Sequence, residues 1–143
     1  MITTIKYWIK NEIRNKVKGR QIDVLKNDIF LVSYPKSGNT WLRFLIGNVL
    51  FEDFNFKNME ELIPDIYVNN NSKLKKFTSP RILKSHEYFD PRYSKVIYIV
   101  RDPRSVFVSY FEYRKKMNKF KKDASYKDFI DTFIKGNFDG FGS

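Results

Sequence analysis

The chain of 143 residues is long enough for one domain, and its 42% hydrophobic and 17% aromatic content excludes a disordered chain. Because it has no cysteine and a single histidine, disulfide frameworks, cysteine zinc sites and histidine-based metal clusters are excluded as well. The lack of cysteine fits a reducing cytoplasm, and the formal net charge of +11 suits a partner of opposite sign.

The N-terminal segment predicts an amphipathic helix, because Ile5, Ile9, Ile13 and Val17 recur every four residues. The helix should end near Gly19. Its other face is basic, and we favour packing against a sheet over binding to an anionic membrane.

The next segment predicts a strand, a short loop and a helix. Residues 29–32 form an apolar run that is typical of a buried strand, and apolar residues dominate 41–50, which predicts a well-buried helix. The first N–H groups of a helix lack internal partners and its dipole favours an anion there, so the intervening loop should bind phosphate. Gly38 would let the backbone approach the ligand, and Lys36 adds a positive charge.

This loop differs from the common nucleoside-triphosphate motif G-x-x-x-x-G-K-[ST]. Asn39 stands where that motif has its lysine, and Ser33 stands where it has its first glycine. The lysine lies upstream of the glycine instead. The loop should therefore hold a phosphate without the lysine that normally reaches the β and γ phosphates.

A long polar connection over residues 52–80 follows, which we interpret as a substrate-facing loop. Residues 81–84 predict a short strand and residues 95–100 a stronger one. Strands that alternate with helices predict an α/β fold with a parallel sheet covered by helices.

Two helices complete the predicted elements. Asp102 as N-cap and Pro103 at the first helical position begin a helix that runs to about Met117. The last helix should span residues 126–135, with one apolar face.

Lys36, His86 and Arg101 each lie just beyond a predicted strand. Ligands gather at the carboxyl ends of parallel strands, so these three residues should share one edge of the sheet. Lys84 precedes His86 by two residues and should point to the same face, where its charge would keep the imidazole neutral, as a general base requires.

Residues 101–110 predict a second phosphate site. The guanidinium of Arg101 and the hydroxyl of Ser109 suit a phosphate monoester, and a charge-assisted hydrogen bond contributes roughly 1.5–3 kcal/mol. Alternatively, Arg101 pairs with a carboxylate and Ser109 only faces a neighbouring helix. Arg104 is a weaker candidate that could equally face solvent.

Together, residues 34–41, Lys84-Ser85-His86 and residues 101–110 resemble the sulfotransferases that use 3′-phosphoadenosine 5′-phosphosulfate (PAPS). The three segments are similar to that family's 5′-phosphosulfate loop, its K-[TS]-H element and its 3′-phosphate element R-[ND]-P-x-[DS]-x-x-x-S-x. The resemblance extends from residue 29 to the last residue. It implies a P-loop-like parallel sheet flanked by helices.

The resemblance also implies a reaction, in which a sulfuryl group passes from PAPS to an acceptor hydroxyl or amine and leaves 3′,5′-adenosine bisphosphate, without a metal. His86 would take the acceptor's proton, Lys84 would assist at the transferring group, and Lys36 would neutralise charge on the departing phosphate. The residues expected to bind the cofactor are Lys36, Ser37, Gly38, Asn39, Thr40, Trp41, Arg101 and Ser109.

The sequence departs from the family pattern in two places. Asn39 replaces the threonine of many cytosolic members, which changes one side-chain contact. The residues after Phe133 resemble the middle of a family domain, and the C-terminal R-K-G segment does not occur. We therefore expect residues 1–143 to form a single domain that is incomplete at its C-terminus, and we favour the N-terminal part of a longer domain over a minimal or degenerate variant.

Two other functions remain open. A kinase with a degenerate phosphate loop would bind ATP and magnesium. It would need an acidic residue after a strand to bind the magnesium, and Asp102 has that position, although we interpret it as an N-cap. A non-catalytic basic module would bind nucleic acid or an anionic glycan, since aromatic residues alternate with lysines over residues 110–122. The acceptor of a sulfotransferase could be a small molecule, lipid or glycan; nucleic acid is not the expected partner, and no apolar run approaches the roughly 18 residues of a membrane span.

Overall fold

A computed structural model describes residues 20–87, 90–121 and 123–135. The predicted helix over residues 5–17 and the glycine-containing C-terminal residues 136–143 lie outside the described residues. The elements in chain order are β1 (Ile29–Ser33), α1 (Asn39–Leu50), α2 (Met59–Leu62), α3 (Asn71–Leu74), β2 (Ile82–Ser85), β3 (Lys95–Ile99), α4 (Pro103–Lys116) and α5 (Tyr126–Lys135).

The three strands form a parallel sheet in the order β2-β1-β3. Val32 lies opposite Ser85, and Ser33 lies opposite Ile99, so all three strands end at the same edge. The predicted α/β class and parallel sheet are confirmed, and the strand bounds differ from the predicted ones by one residue. Each strand is followed at this edge by a segment that carries predicted site residues.

The central strand β1 separates two apolar clusters, as alternation along a buried strand requires. Phe30 and Val32 face one cluster, and Leu31 faces the other. The first cluster comprises Ile22, Phe30, Val32, Ile66, Leu74 and Leu83; the second comprises Leu31, Phe54, Met59 and Ile63. Because its side chains are buried on both faces, β1 holds the phosphate-loop segment on a rigid support.

The expectation of a covered sheet is wrong for β3. In the described parts of the chain, both apolar clusters lie against β1 and β2, and Tyr98 of β3 is 62% exposed. Val96 and Ile97 are exposed as well. The apolar character of this strand predicted burial that the described elements do not provide.

The expectation of a well-buried α1 is also wrong. Its buried positions are Asn39, Arg43 and Gly47, spaced four apart, whereas the apolar Trp41 is 68% and Val49 is 83% exposed. These three positions form one buried stripe, and the apolar Leu42, Phe44 and Ile46 are partly buried against the second cluster. Among the residues that the structure describes, no helix has the length and apolar character needed to cross a bilayer.

Arg43, which the sequence analysis missed, is buried in this stripe. Its guanidinium donates to Glu60 Oε1 at 2.8 Å and to the carbonyl of Ile63. A buried charge needs such partners, because leaving it unpaired costs several kcal/mol. Arg43 therefore ties α1 to the start of the long connection.

Gly47 lets Phe54 pack directly against α1. A Cβ at Gly47 would lie 2.4 Å from three ring atoms of the buried Phe54. We expect Gly47→Ala to lower the free energy of unfolding by about 1–3 kcal/mol in urea denaturation, although alanine is the better helix former. The exposed control Val49→Ala should change it by less than about 0.5 kcal/mol. Wild-type stability of Gly47→Ala would contradict this packing.

The long connection between α1 and β2 contains α2 and α3, and it also pairs with the sheet. Lys84 N donates to Pro64 O at 2.9 Å, and Ile66 N donates to Lys84 O at 3.2 Å. Asp65 thus forms a parallel bridge with Lys84. This pairing brings the connection to the edge where the strands end.

The last two helices follow the prediction closely. Asp102 caps α4 by accepting from Arg104 N at 2.9 Å, and Pro103 is its first residue. The helix ends one residue before the predicted Met117, and α5 has the predicted bounds. The two helices pack through an aromatic cluster in which Tyr110, Phe111 and Phe129 are buried.

Candidate active site

A cleft of about 710 Å³ opens at the edge where the three strands end. It brings together every predicted site residue except Ser37, which is buried and whose amide donates to Tyr34 O at 3.2 Å. The predicted residues that line the cleft are Lys36, Gly38, Asn39, Thr40, Trp41, Lys84, His86, Arg101 and Ser109.

The loop after β1 forms the floor of the cleft. Lys36 has φ 68° and Gly38 has φ 105°, so two residues adopt left-handed conformations that concentrate at functional sites. Gly38 is the N-cap of α1 and provides no side-chain cap, and a Cβ on it would meet nothing within 4 Å. The N-terminus of α1 thus faces open space with no side chain over it, which suits an anion.

Asn39 anchors the first turn of α1 to β1. Its Nδ2 donates to Leu31 O at 2.9 Å and to Ser33 Oγ at 3.2 Å. Its Oδ1 is buried and has no hydrogen-bond partner. The Asn39 side chain therefore fixes the distance between the strand end and the helix start.

Positive charges converge on this loop. Arg101 Nη1 donates to Lys36 O at 3.1 Å, and Lys36 Nζ lies 4.5 Å from the ring centroid of Tyr113. Partial burial lowers the pKa of Lys36 below its usual value, and the charges of Lys116 and Arg101 add to that effect. Mutual repulsion among cations would be relieved by a bound anion.

The one histidine of the chain follows β2. Its Nδ1 lies 2.7 Å from Ser33 O and 3.4 Å from Ser33 Oγ. Because a carbonyl oxygen can only accept, Nδ1 carries the hydrogen, and in the neutral ring Nε2 is the acceptor nitrogen. This is the tautomer that a base acting through Nε2 requires.

Burial lowers the pKa of His86 below its usual value, and the ammonium of Lys84 lowers it further. The hydrogen bond to Ser33 and the carboxylate of Asp65 oppose this shift without reversing it. The sequence analysis named the Lys84 effect, but burial is the larger cause. At neutral pH the imidazole is uncharged.

Lys84 is paired within the cleft. Its Nζ donates to Asp65 Oδ2, and both side chains are mostly buried. Asp65 Oδ1 also accepts from Tyr67 N at 2.8 Å. Among the described residues that line the cleft, Asp65 is the one carboxylate, so the charge of the lining remains positive.

Several lining residues escaped the sequence analysis, namely Pro35, Phe44, Phe56, Asp65, Tyr67, Tyr110 and Tyr113. Tyr113 follows Ser109 by four residues on α4, and this helical spacing could have identified it. The ring centroids of Phe44 and Phe56 lie 4.1 Å apart. Together with the exposed Trp41, these rings form an aromatic part of the cleft lining.

Comparison with known proteins agrees with this arrangement. The family model described as the Sulfotransferase domain matches residues 26–140. Mouse Sulfotransferase 6B1 is 29% identical over 120 residues, which cover 77% of this chain and 40% of the relative. Rabbit Amine sulfotransferase is 25% identical over 130 residues, covering 82% and 43%. Mouse Sulfotransferase 1B1 is 30% identical over 129 residues, covering 77% and 43%.

The chain thus spans less than half the length of these curated relatives. The family model nevertheless matches most of the chain, including all three strands and the residues that line the cleft at their ends. The chain therefore belongs to the sulfotransferase domain family.

Proposed function

We propose that the protein is a sulfotransferase that uses PAPS as donor and His86 as general base. The observation that carries this proposal is a single cleft that brings together an uncapped helix N-terminus, converging cations and a neutral imidazole. An anionic donor and a protonated acceptor would meet between them.

The first anchor of the donor would be the loop after β1. Lys36 and the amides of Gly38, Asn39 and Thr40 would hold the 5′-phosphosulfate, with Trp41 beside it. The open space at Gly38 supports this fit, because the phosphate oxygens of the donor must come close to the backbone N–H groups to accept their hydrogen bonds. The Ser37 amide already donates to Tyr34 O, so Ser37 would contribute through the turn it forms.

The second anchor would be Arg101 with Ser109, which would hold the 3′-phosphate. Both residues also line a neighbouring shallow depression on the α4 side, so the donor site can extend in that direction. Arg104 lines the same depression, but its guanidinium pairs with Asp102 at 2.8 Å and its side chain is 90% exposed, so we give it no binding role.

PAPS would supply the activated sulfuryl group. His86 Nε2 would accept the proton of the acceptor hydroxyl or amine as its bond to sulfur forms. Lys36 would stabilise the charge on the departing phosphate oxygen. Lys84, held by Asp65 beside the imidazole, would assist at the transferring group.

The acceptor would lie against the rings of Phe44 and Phe56, which line the cleft next to Trp41. Its chemical class stays open among small molecules, lipids and glycans. We place the reaction in the cytoplasm, which the absence of cysteine supports.

Isothermal titration of the chain with 3′,5′-adenosine bisphosphate tests the proposal. We expect saturable binding that does not depend on magnesium and is tighter than the binding of ATP. Absence of heat at millimolar ligand would contradict it. Binding of ATP that requires magnesium would favour the kinase alternative, and salt-dependent binding of DNA without nucleotide affinity would favour the basic module.

A further inference from the structure

We propose that Tyr67 is a positioning residue that holds His86 in its proton-accepting orientation. The proposal rests on the proposed function only in that it assigns the base to His86. The proposal is based on three contacts of Tyr67: with the main chain of His86, with the ring of His86, and with the carboxylate of Glu87.

Main-chain pairing places Tyr67 beside His86. Residues 64–66 run parallel to β2 at Lys84, with hydrogen bonds at both Pro64 and Ile66. Tyr67 follows this paired segment as His86 follows β2, so the two residues meet at the same edge. Asp65 Oδ1 accepts from Tyr67 N at 2.8 Å, and this hydrogen bond fixes the backbone turn from Asp65 to Tyr67.

The phenol contacts His86 in two ways. His86 N donates to Tyr67 Oη at 3.1 Å, and the two rings stack with centroids 5.9 Å apart and an interplanar angle of 24°. Tyr67 Oη in turn donates to Glu87 Oε1 at 2.9 Å. Because the hydrogen of the phenol points to Glu87, its oxygen presents a lone pair to the His86 amide.

A guanidinium also contacts the Tyr67 ring. Arg20 Cζ lies 4.3 Å from the ring centroid, and Arg20 Nε donates to Ile66 O at 3.1 Å. The Tyr67 ring therefore contacts both a guanidinium and an imidazole, and these contacts restrict its rotation. Burial and Glu87 both raise the pKa of Tyr67, so the phenol remains protonated at neutral pH.

Two anchors then define the direction of the imidazole. Tyr67 Oη holds the main chain of His86, and Ser33 O holds Nδ1. With both in place, Nδ1 stays on Ser33 O, and His86 lines the cleft with Nε2 as its acceptor nitrogen. The charged groups that act on the imidazole are Lys84 and Asp65, whereas Glu87 and Arg20 contact the phenol.

The test compares Tyr67→Phe, which removes the hydroxyl and keeps the ring, with Tyr67→Leu, which removes both. Tyr93→Phe is the matched control, because Tyr93 is similarly buried and its hydroxyl meets Ser85 Oγ at 3.3 Å. Glu87→Gln is a milder variant that changes the acceptor of the Tyr67 hydroxyl and leaves both rings in place.

His86 is the one histidine of the chain, so nitrogen NMR of histidine-labelled protein without a polyhistidine tag reports its tautomer with no ambiguity. In the wild type we expect the Nδ1–H form. In Tyr67→Phe the ring nitrogens should shift towards a mixture of tautomers, and more so in Tyr67→Leu. Glu87→Gln should shift them in the same direction, and Tyr93→Phe should not.

Turnover of PAPS with phenol gives the second measurement. Tyr67→Phe should lower kcat about tenfold with unchanged KM for PAPS, since the orientation of the base matters in the transition state. The affinity for 3′,5′-adenosine bisphosphate should stay at the wild-type value. A wild-type tautomer in Tyr67→Phe, or equal effects of Tyr67→Phe and Tyr93→Phe, would overturn the proposal. If wild-type protein binds no bisphosphate, the proposed function fails, while the NMR result still decides the role of Tyr67.

Discussion

Replacing His86 with asparagine should lower the turnover of phenol by about 10²–10⁴-fold, the range expected for loss of a general base. Asparagine can donate its Nδ2 hydrogen to Ser33 O, as His86 Nδ1 does at 2.7 Å, but offers nothing at the position of Nε2. Affinity for 3′,5′-adenosine bisphosphate should be unchanged, because the phosphate anchors lie on other segments of the cleft. The measurements are sulfuryl transfer from PAPS and calorimetric titration of the same samples.

A second acceptor makes this prediction specific to proton transfer. An acidic nitrophenol is largely ionised at neutral pH and needs no base, whereas phenol keeps its proton. The His86→Asn variant should therefore lose far less activity with nitrophenol than with phenol. Equal losses with both acceptors would show that His86 only shapes the cleft, and unchanged turnover of phenol would remove it from catalysis.

The pH dependence should follow the lowered pKa of His86. In the folded protein, burial and Lys84 favour the neutral imidazole, so the base stays active as the pH falls through the ordinary value of about 6.5. The acidic limb of kcat/KM should therefore lie below pH 6.5. The unfolded chain takes up the proton first, so the free energy of unfolding contributed by this group should fall as the pH drops below about 6.5. Both effects should disappear in His86→Asn.

The three strands and the helices α1, α4 and α5 could be predicted because each depends on local pattern, whereas the short α2 and α3 within the long connection were missed. The apolar run of β1 and the Asp102-Pro103 start of α4 carry their signals within a few residues. The meeting of Lys36, His86 and Arg101 then follows from parallel strands, whose ends share an edge. Hence the predicted site residues could be grouped before any distance was known.

The rest of the site depends on pairing between distant segments, which no local pattern reports. Asp65 and Tyr67 reach the cleft because residues 64–66 pair with Lys84, and Asp65 lies 19 residues before Lys84 in the chain. The same pairing gives Lys84 a partner that the sequence analysis could not name. The exposure of Trp41 likewise reflects which stripe of α1 meets the sheet, a property of packing rather than of composition.

Neutralising the two proposed phosphate anchors one at a time should separate their roles. Lys36→Met and Arg101→Ala should each weaken binding of 3′,5′-adenosine bisphosphate by about 10- to 150-fold, the equivalent of a charge-assisted hydrogen bond of roughly 1.5–3 kcal/mol. With 5′-AMP, which has no 3′-phosphate, Lys36→Met should still weaken binding, whereas Arg101→Ala should not. Calorimetric titration of both nucleotides gives the comparison.

The contact between the two anchors makes the second nucleotide essential. Arg101 Nη1 donates to Lys36 O, so Arg101→Ala could disturb the loop as well as remove a charge. A disturbed loop would weaken both nucleotides, while loss of a 3′-phosphate contact weakens the bisphosphate alone. Arg104→Ala is the control, since Arg104 is exposed and paired with Asp102, and it should leave both affinities within about twofold. If Arg101→Ala weakens 5′-AMP as much as the bisphosphate, Arg101 supports the loop and the 3′-phosphate must be held elsewhere.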